Sequence, residues 1–144
     1  MIKEFHTQSV EETEMIGREL AGSLDKEKPC FIAMYGDLGV GKTAFVRGLA
    51  SVLAPTARVK SPTYTVVNKY EGDSIPLYHL DVYRINDEDE LYSIGFDDYV
   101  NTGICVVEWS ENIPESIPKD AIKVSIEKEG ENFEKRKITV EVKG

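Results

Sequence analysis

The sequence predicts an α/β fold in three layers, with a mixed parallel and antiparallel sheet flanked by helices and a β-hairpin at the C-terminus. First, Cys30–Tyr35 is a short apolar run with the length and composition of a buried strand. Second, a glycine-rich octet and then apolar residues at helical spacing follow it, in the order of an α/β unit. Third, apolar and polar residues alternate near the end, which is typical of antiparallel strands with one buried face. We expect residues 1–144 to form a single domain.

Two helices are predicted in the first part of the chain. Ser9 and Glu12 fit a capping box, in which a small N-cap residue is followed by glutamate three positions later. The helix that follows is indicated by apolar residues at helical spacing, namely Ile16, Leu20 and Leu24. A second helix begins after the octet and continues to Leu53, because Pro55 cannot extend it.

The middle of the chain predicts a hairpin and two short helical segments. Residues 61–70 are rich in Thr, Tyr and Val, which is typical of a strand. A turn at residues 71–74 leads to a second strand over residues 77–84. Short helical segments are then predicted over residues 87–93 and 96–101.

Three more strands complete the prediction. Residues 104–107 are a compact apolar run that ends at Glu108, as expected of a buried strand. The tail alternates on both sides of a turn at residues 129–132, which predicts a hairpin with one buried face. Its apolar positions are Ile122, Val124, Ile126, Ile138, Val140 and Val142.

The octet GDLGVGKT, residues 36–43, matches the phosphate-binding pattern G-x-x-x-x-G-K-[ST]. Its glycines allow positive φ values, so that backbone N–H groups can turn toward phosphates. Lys42 supplies a positive charge, and the Thr43 hydroxyl can ligate magnesium. A glycine-rich turn is the alternative, but strand, loop and helix are the order that places phosphates at a helix N-terminus. The candidate nucleotide contacts are Gly36, Asp37, Leu38, Gly39, Val40, Gly41, Lys42, Thr43 and Ala44.

A carboxylate at a neighbouring strand end is needed to help hold magnesium, and two candidates are present. Glu108 directly follows a buried strand. The alternative is that it is an acid at a strand end that faces solvent, which would give the same sequence pattern. In the strand over residues 77–84, period-two alternation places Asp81 on one face with His79 and Tyr83. Asp81 could act as a general base, orient water or bind magnesium through water. The alternative is a hairpin with a wet polar side, and His79 by itself indicates little.

Ser61, Pro62 and Thr63 lie between the phosphate loop and that strand, where nucleotide-sensing switch segments are often found. They are also typical turn residues, and the residues alone favour the turn interpretation. Residues 68–71 read NKYE and fail the guanine-reading pattern N-K-x-D at its last position, which favours adenine.

Composition excludes several classes of protein. A chain of net charge −9 is a poor candidate for holding nucleic acid alone, so we expect no DNA partner and RNA only through another protein. No apolar run has the length of a membrane helix, and the first residues lack the apolar core of a signal peptide. Cys30 and Cys105 are more typical of core residues than of a disulfide or metal pair. A cytoplasmic location fits.

Four segments of the chain, in this order and spacing, carry a resemblance to a known family: GDLGVGKT, SPTYT, LYHLDVYR and VEWSE. In them the chain closely resembles the TsaE family of small bacterial ATPases. The resemblance runs from about residue 9 to the last hairpin. It implies a P-loop NTPase-like fold and magnesium-dependent ATP hydrolysis. It also implies a role in threonylcarbamoyladenosine formation beside the anticodon of tRNA, with TsaD and TsaB as partners and tRNA reached through their complex.

The resemblance also implies residue roles. Lys42 and Thr43 would be the phosphate-loop pair, Glu108 the magnesium carboxylate and Asp81 the acid needed for hydrolysis. Residues 61–65 would be the first switch, and Glu108 with Trp109 the second. The family's base and ribose contacts would fall at Ser9 and at Arg136, in the basic run of residues 135–137.

Two other functions remain open at this point. A small-molecule kinase usually carries an arginine-rich lid, whereas the arginines here are few and scattered. Arg84 is the nearest candidate for an ATPase's arginine finger, and a surface salt bridge is the alternative. A binding module could use ATP as a switch with little turnover. For an ATPase, the lack of an obvious finger predicts slow hydrolysis until a partner completes the site.

Overall fold

The computed structural model describes residues 1–36, 39–60, 67–131 and 134–143. Its helices are α1 (Val10–Gly22), α2 (Lys42–Leu53), α3 (Asp89–Ser93) and α4 (Phe96–Thr102). Its strands are β1 (Ile2–Thr7), β2 (Cys30–Tyr35), β3 (Val67–Tyr70), β4 (Leu77–Asp81), β5 (Ile104–Glu108), β6 (Ile122–Lys128) and β7 (Arg136–Glu141). Short 3₁₀ turns cover Ser110–Asn112 and Pro114–Ser116. None of the described helices is long and apolar enough to cross a membrane.

The strands form one seven-stranded sheet in the order β1-β7-β6-β2-β5-β4-β3. Its centre, β6-β2-β5-β4, is parallel. Its edges are antiparallel, since β7 pairs with β6 and β1 with β7 on one side, and β3 pairs with β4 on the other. The mixed sheet and the C-terminal hairpin are therefore confirmed.

The two faces of the sheet are buried by different helices, which gives the three predicted layers. On β2, Ile32 and Met34 pack in one cluster with Phe45 and Leu49 of α2. Phe31 and Ala33 point the other way, into a cluster that contains Leu91 of α3 and Phe96 of α4. Parallel strands are apolar throughout because both faces are covered, and this is why β2 and β5 read as continuous apolar runs.

Helices α1 and α2 cross in backbone contact. A Cβ atom added to Gly17 would lie 2.3 Å from the carbonyl oxygen of Phe45, and one added to Gly48 would lie 2.0 Å from that of Glu14. Only glycine fits at such a distance. The crossing fixes the start of α1 beside the start of α2, where the phosphate loop ends.

Ser9 caps α1 as predicted, with its hydroxyl accepting a hydrogen bond from the Glu12 N–H at 3.2 Å. The return bond of the box differs, because the Glu12 carboxylate accepts from the N–H of Gln8 at 3.1 Å. Helix α3 begins two residues later than predicted. The Asp87 carboxylate accepts from the Glu90 N–H at 3.2 Å, which places Asp87 outside the helix as a capping group.

Three features of the sheet differ from the prediction. β4 ends at Asp81, because the chain turns after Val82, where the Ile85 N–H donates to the Val82 carbonyl oxygen at 3.2 Å. Val142 lies beyond β7 and is exposed, although alternation placed it on the buried face. β1 was not predicted at all. Of the predicted strand at residues 61–70, Val67–Tyr70 is confirmed and residues 61–66 lie outside the described part of the chain.

Candidate functional site

The phosphate loop connects β2 to α2 and has the backbone that its glycines predict. Gly36, Gly39 and Gly41 have φ values of 143°, 76° and 104°, all in the region that favours glycine. Gly36 is also required for space, since a Cβ there would lie 2.5 Å from the carbonyl oxygen of Ile126. Asp37 and Leu38, two of the predicted contacts, lie outside the described residues.

Lys42 is the first residue of α2, and its side chain folds back over the loop. The residue is only 5% exposed. Its Nζ donates to the Gly36 carbonyl oxygen at 2.6 Å and lies 3.9 Å from the centroid of the Trp109 ring. Thr43 follows in the first turn of α2, where free N–H groups and the helix dipole favour anions. The positive charge of Lys42 and the hydroxyl group of Thr43 therefore lie together at the N-terminus of α2.

Asp81 and Glu108 are direct neighbours across two parallel strands. They are register partners at the last residues of β4 and β5. Alternation places both on the face that α2 covers, since Leu77 and Ile104, on the same faces of these strands, belong to the cluster that contains α2. Glu108 is 4% exposed, whereas Asp81 is half-buried. The predicted carboxylate pair is thus brought to the phosphate-loop side of the sheet.

Burial is the largest influence on Asp81 and raises the pKa of its carboxyl group, and the charge of Glu108 adds to this rise. The backbone N–H of Tyr83, which donates to Asp81 Oδ1 at 2.8 Å, opposes the rise, as does the charge of Lys42. The net effect is a raised pKa, which makes this carboxylate a better proton acceptor than an exposed aspartate.

His79 was predicted to carry little information, and the structure corrects that interpretation. Its side chain is fully buried, and Nε2 is hydrogen-bonded to Oε2 of Glu108. The polar face of β4 is therefore not a wet hairpin face. The sequence did contain a sign that His79 belongs to the site. It lies two residues before Asp81, on the same face of a strand whose other residues are apolar.

A cleft of about 510 Å³ joins these groups. Tyr83 packs its ring against Trp109 at a centroid distance of 4.7 Å. Arg84 lies on the lining, and Arg47 is held there by Glu14, whose carboxylate accepts from Nε at 2.8 Å. The lining also includes Lys42, Thr43, Ala44, Asp81, Glu108 and Trp109.

Ser9 and Arg136, the predicted base and ribose contacts, lie together beside the phosphate loop. Both line a small pocket of about 70 Å³ with Val40, Gly41 and Ala44. Arg136 donates from Nε to the Val40 carbonyl oxygen at 2.7 Å and from a terminal nitrogen to that of Gly39 at 3.3 Å. The described contacts of Arg136 thus brace the loop, and base contact stays a prediction.

The predicted switch segments are only partly described. Ser61, Pro62 and Thr63 lie outside the described residues. Trp109 has a φ of 64°, the left-handed region that residues other than glycine rarely adopt. The indole lies over Lys42 immediately after Glu108, so the predicted second switch adjoins both the lysine and the carboxylates, and its switching stays a prediction.

The oxygen donors at the cleft fit magnesium. Within the described ranges no three His, Cys, Asp or Glu side chains converge to hold a metal by themselves. Magnesium does not need such a cage, because it is commonly held by one or two carboxylates together with phosphate oxygens and water. Thr43, Glu108 and Asp81 supply ligands of that chemistry.

A glycine loop between a parallel strand and a helix, with acids at neighbouring strand ends, places the chain among the P-loop proteins of the α/β class. The family model described as "Threonylcarbamoyl adenosine biosynthesis protein TsaE" matches residues 7–138. The chain belongs to the TsaE family.

Individual relatives agree with this assignment. The "tRNA threonylcarbamoyladenosine biosynthesis protein TsaE" of Bacillus subtilis is 41% identical over 109 residues, which cover 75% of this chain and 66% of that protein. The protein of the same name from Haemophilus influenzae is 41% identical over 110 residues, 76% of this chain and 70% of its own length. The chain thus spans about two thirds of the length of these curated relatives. A crystal structure of Bacillus subtilis YdiB superposes with a TM-score of 0.80 at 32% identity, covering 100% of this chain and 87% of that one.

Proposed function

We propose that this chain binds ATP with Mg²⁺ and hydrolyses it in support of threonylcarbamoyladenosine biosynthesis in tRNA. The names of its relatives supply the pathway. The observation that carries the activity is the single cleft in which Lys42 and Thr43 face the neighbouring strand-end acids Asp81 and Glu108. TsaD and TsaB are the proposed partners, with tRNA reached through them in the cytoplasm.

The proposed chemistry is positioning and charge stabilisation. Backbone N–H groups of the loop and the N-terminus of α2 bind the phosphates, and Lys42 leaves the Gly36 carbonyl to offset charge on the outer ones. Thr43 and Glu108 would hold Mg²⁺, which neutralises charge on the phosphate oxygens. Asp81 orients water or accepts its proton, a role that its raised pKa favours.

The test is ATP hydrolysis by the purified chain, with and without Mg²⁺, alone and with TsaD and TsaB. We expect slow turnover alone, strong stimulation by the partners, and loss of both in Glu108→Gln. Glu127→Gln is the matched control, because Glu127 is an exposed residue of β6 away from the cleft lining. ATP consumption that is indifferent to the partners and transfers the γ-phosphate to a metabolite instead of to water would indicate a kinase. Tight binding without turnover in the complete complex would indicate a nucleotide-switched binding module.

A further inference from the structure

His79 is fully buried near the cleft, and its only described hydrogen bond is to a proposed magnesium ligand. It lies in β4 opposite Val106 of β5, two residues before the pair formed by Asp81 and Glu108. The side chain is 0% exposed. A buried histidine costs free energy unless its ring nitrogens are paired, so the contact with Glu108 must offset that cost.

We assign the ring proton of His79 from the chemistry of its partner. An ionised carboxylate only accepts hydrogen bonds, so Nε2 of His79 must be the donor to Oε2 of Glu108. Within the described part of the chain Nδ1 has no hydrogen-bond partner. A neutral ring protonated at Nε2 leaves Nδ1 as an unpaired acceptor, which avoids burying an unpaired N–H group.

The same contact fixes the Glu108 side chain. Glutamate has three side-chain torsions, and holding them in one arrangement costs conformational entropy. Nε2 restrains the carboxylate through Oε2, while among the described residues no hydrogen bond involves Oε1. One oxygen is therefore held from the core side of the sheet, and the other stays available to a ligand in the cleft.

We propose that His79 is a positioning residue that orients the Glu108 carboxylate for Mg²⁺ by donating a hydrogen bond from Nε2 to Oε2. The inference rests on the proposed function, since it assigns Glu108 to the metal. Groups that hydrogen-bond metal ligands commonly change metal affinity or activity by about 10–100-fold when they are removed. His79 touches neither nucleotide nor metal in this role and acts through Glu108 alone.

The test compares His79→Leu with His79→Gln, because the glutamine amide nitrogen can take the place of Nε2 as a donor. Binding of a non-hydrolysable ATP analogue is measured in EDTA and then against Mg²⁺ concentration. We expect His79→Leu to keep its affinity for the ATP analogue in EDTA. Its Mg²⁺ concentration for half-saturation should rise by about 10-fold or more. His79→Gln should restore most of the Mg²⁺ dependence. Leu80→Ala, on the opposite face of β4, controls for general destabilisation and should leave the Mg²⁺ requirement unchanged.

A second readout is independent of ligands. Long-range ¹H–¹⁵N NMR of the free protein should show His79 protonated at Nε2, with the exposed His6 assigned by His6→Gln. A ring protonated only at Nδ1 would overturn the inference, as would a normal Mg²⁺ requirement in His79→Leu or equal impairment in both His79 variants. If nucleotide binding by the wild-type chain does not depend on Mg²⁺, the proposed function itself fails. If only the results for the His79 variants differ from expectation, the inference about His79 fails and the proposed function stands.

Discussion

The parallel centre of the sheet and its antiparallel edges use their residues differently. In the centre, β2, β4 and β5 are buried along most of their length, and their two acids, Asp81 and Glu108, are the last residues of β4 and β5. On the β1–β7–β6 side, apolar and polar residues alternate, and β1 is largely exposed. The two histidines show the contrast, since His79 is buried against Glu108 and His6 is exposed beside Glu129.

The difference shows where this fold can place costly groups. Parallel strands all end at one edge, so their last residues converge on the loop before α2, where the half-buried Asp81 and the buried Glu108 line one cleft with the buried Lys42. The antiparallel edge reaches this loop through Arg136. We therefore expect substitutions at the centre to change ligand binding strongly, and equivalent substitutions at the edge to change it weakly.

Lys42→Ala should have the largest effect. It removes the charge at the start of α2, and we expect ATP hydrolysis to fall by about 10²–10³-fold, as when a group stabilising transition-state charge is lost. Steady-state kinetics with Mg²⁺ and partners measure this. Lys137→Ala, in β7 on the antiparallel side of the sheet, is the control and should stay near wild type. Equal losses in the two variants would remove the distinction between centre and edge.

Gly48→Ala should have the second-largest effect, a decrease in the free energy of unfolding. The added methyl group would meet the Glu14 backbone, and overpacking of this kind costs about 1–3 kcal/mol. Urea unfolding followed by circular dichroism measures the change. Gly22→Ala, at the end of α1 with nothing within 4 Å of the added atom, should not destabilise the chain and should stabilise it slightly, because alanine favours a helix over glycine. If both variants unfold at the same urea concentration, the helix layer over the centre is looser than the structure shows.

Arg136→Met tests the connection between edge and centre. It removes the hydrogen bonds to the Val40 and Gly39 carbonyl groups, and we expect nucleotide affinity to weaken by about 1 kcal/mol, roughly fivefold. Isothermal titration with an ATP analogue gives the value. Arg18→Met, which removes a contact with Ser51 on the helix layer, should bind normally. Unchanged affinity in Arg136→Met would mean that the loop holds its shape without the edge.

Asp81→Asn and Glu4→Gln should change stability slightly and in opposite directions. The pKa of Asp81 is raised by burial, so its carboxyl costs stability as pH rises above the unfolded value of about 3.9. Asp81→Asn should therefore be more stable at pH 7, by less than about 1 kcal/mol because water screens the half-exposed group.

Glu4 at the edge has a pKa lowered by Lys137, so it contributes stability above its unfolded value and loses it as pH falls. Glu4→Gln should be slightly less stable at pH 7. Both differences should vanish at low pH in thermal melts, once pH lies below the folded and unfolded pKa values of each group. The same sign for the two variants at pH 7 would contradict the contrast.

Sequence patterns predicted what depends on neighbours along the chain. The octet, the strand before it and the helix after it are local, and so is the cap at Ser9. β1 was missed because it is held by β7, whose register pairs Ile2 with Glu141, and an exposed edge strand has little periodicity of its own. The role of His79 depends on β5 lying beside β4, since alternation alone cannot distinguish a wet face from one covered by a helix.

The packing of Lys42 against Trp109 gives the molecule an optical signal. The chain contains one tryptophan, and its ring centroid lies 3.9 Å from an ammonium group. A positive charge at that distance perturbs the excited state of indole, so its withdrawal toward bound phosphates should change the intensity and wavelength of emission. Intrinsic fluorescence would then follow occupancy of the loop without a dye. In the Lys42→Ala variant, which has no charge to withdraw, the emission of Trp109 should not change during the same titration.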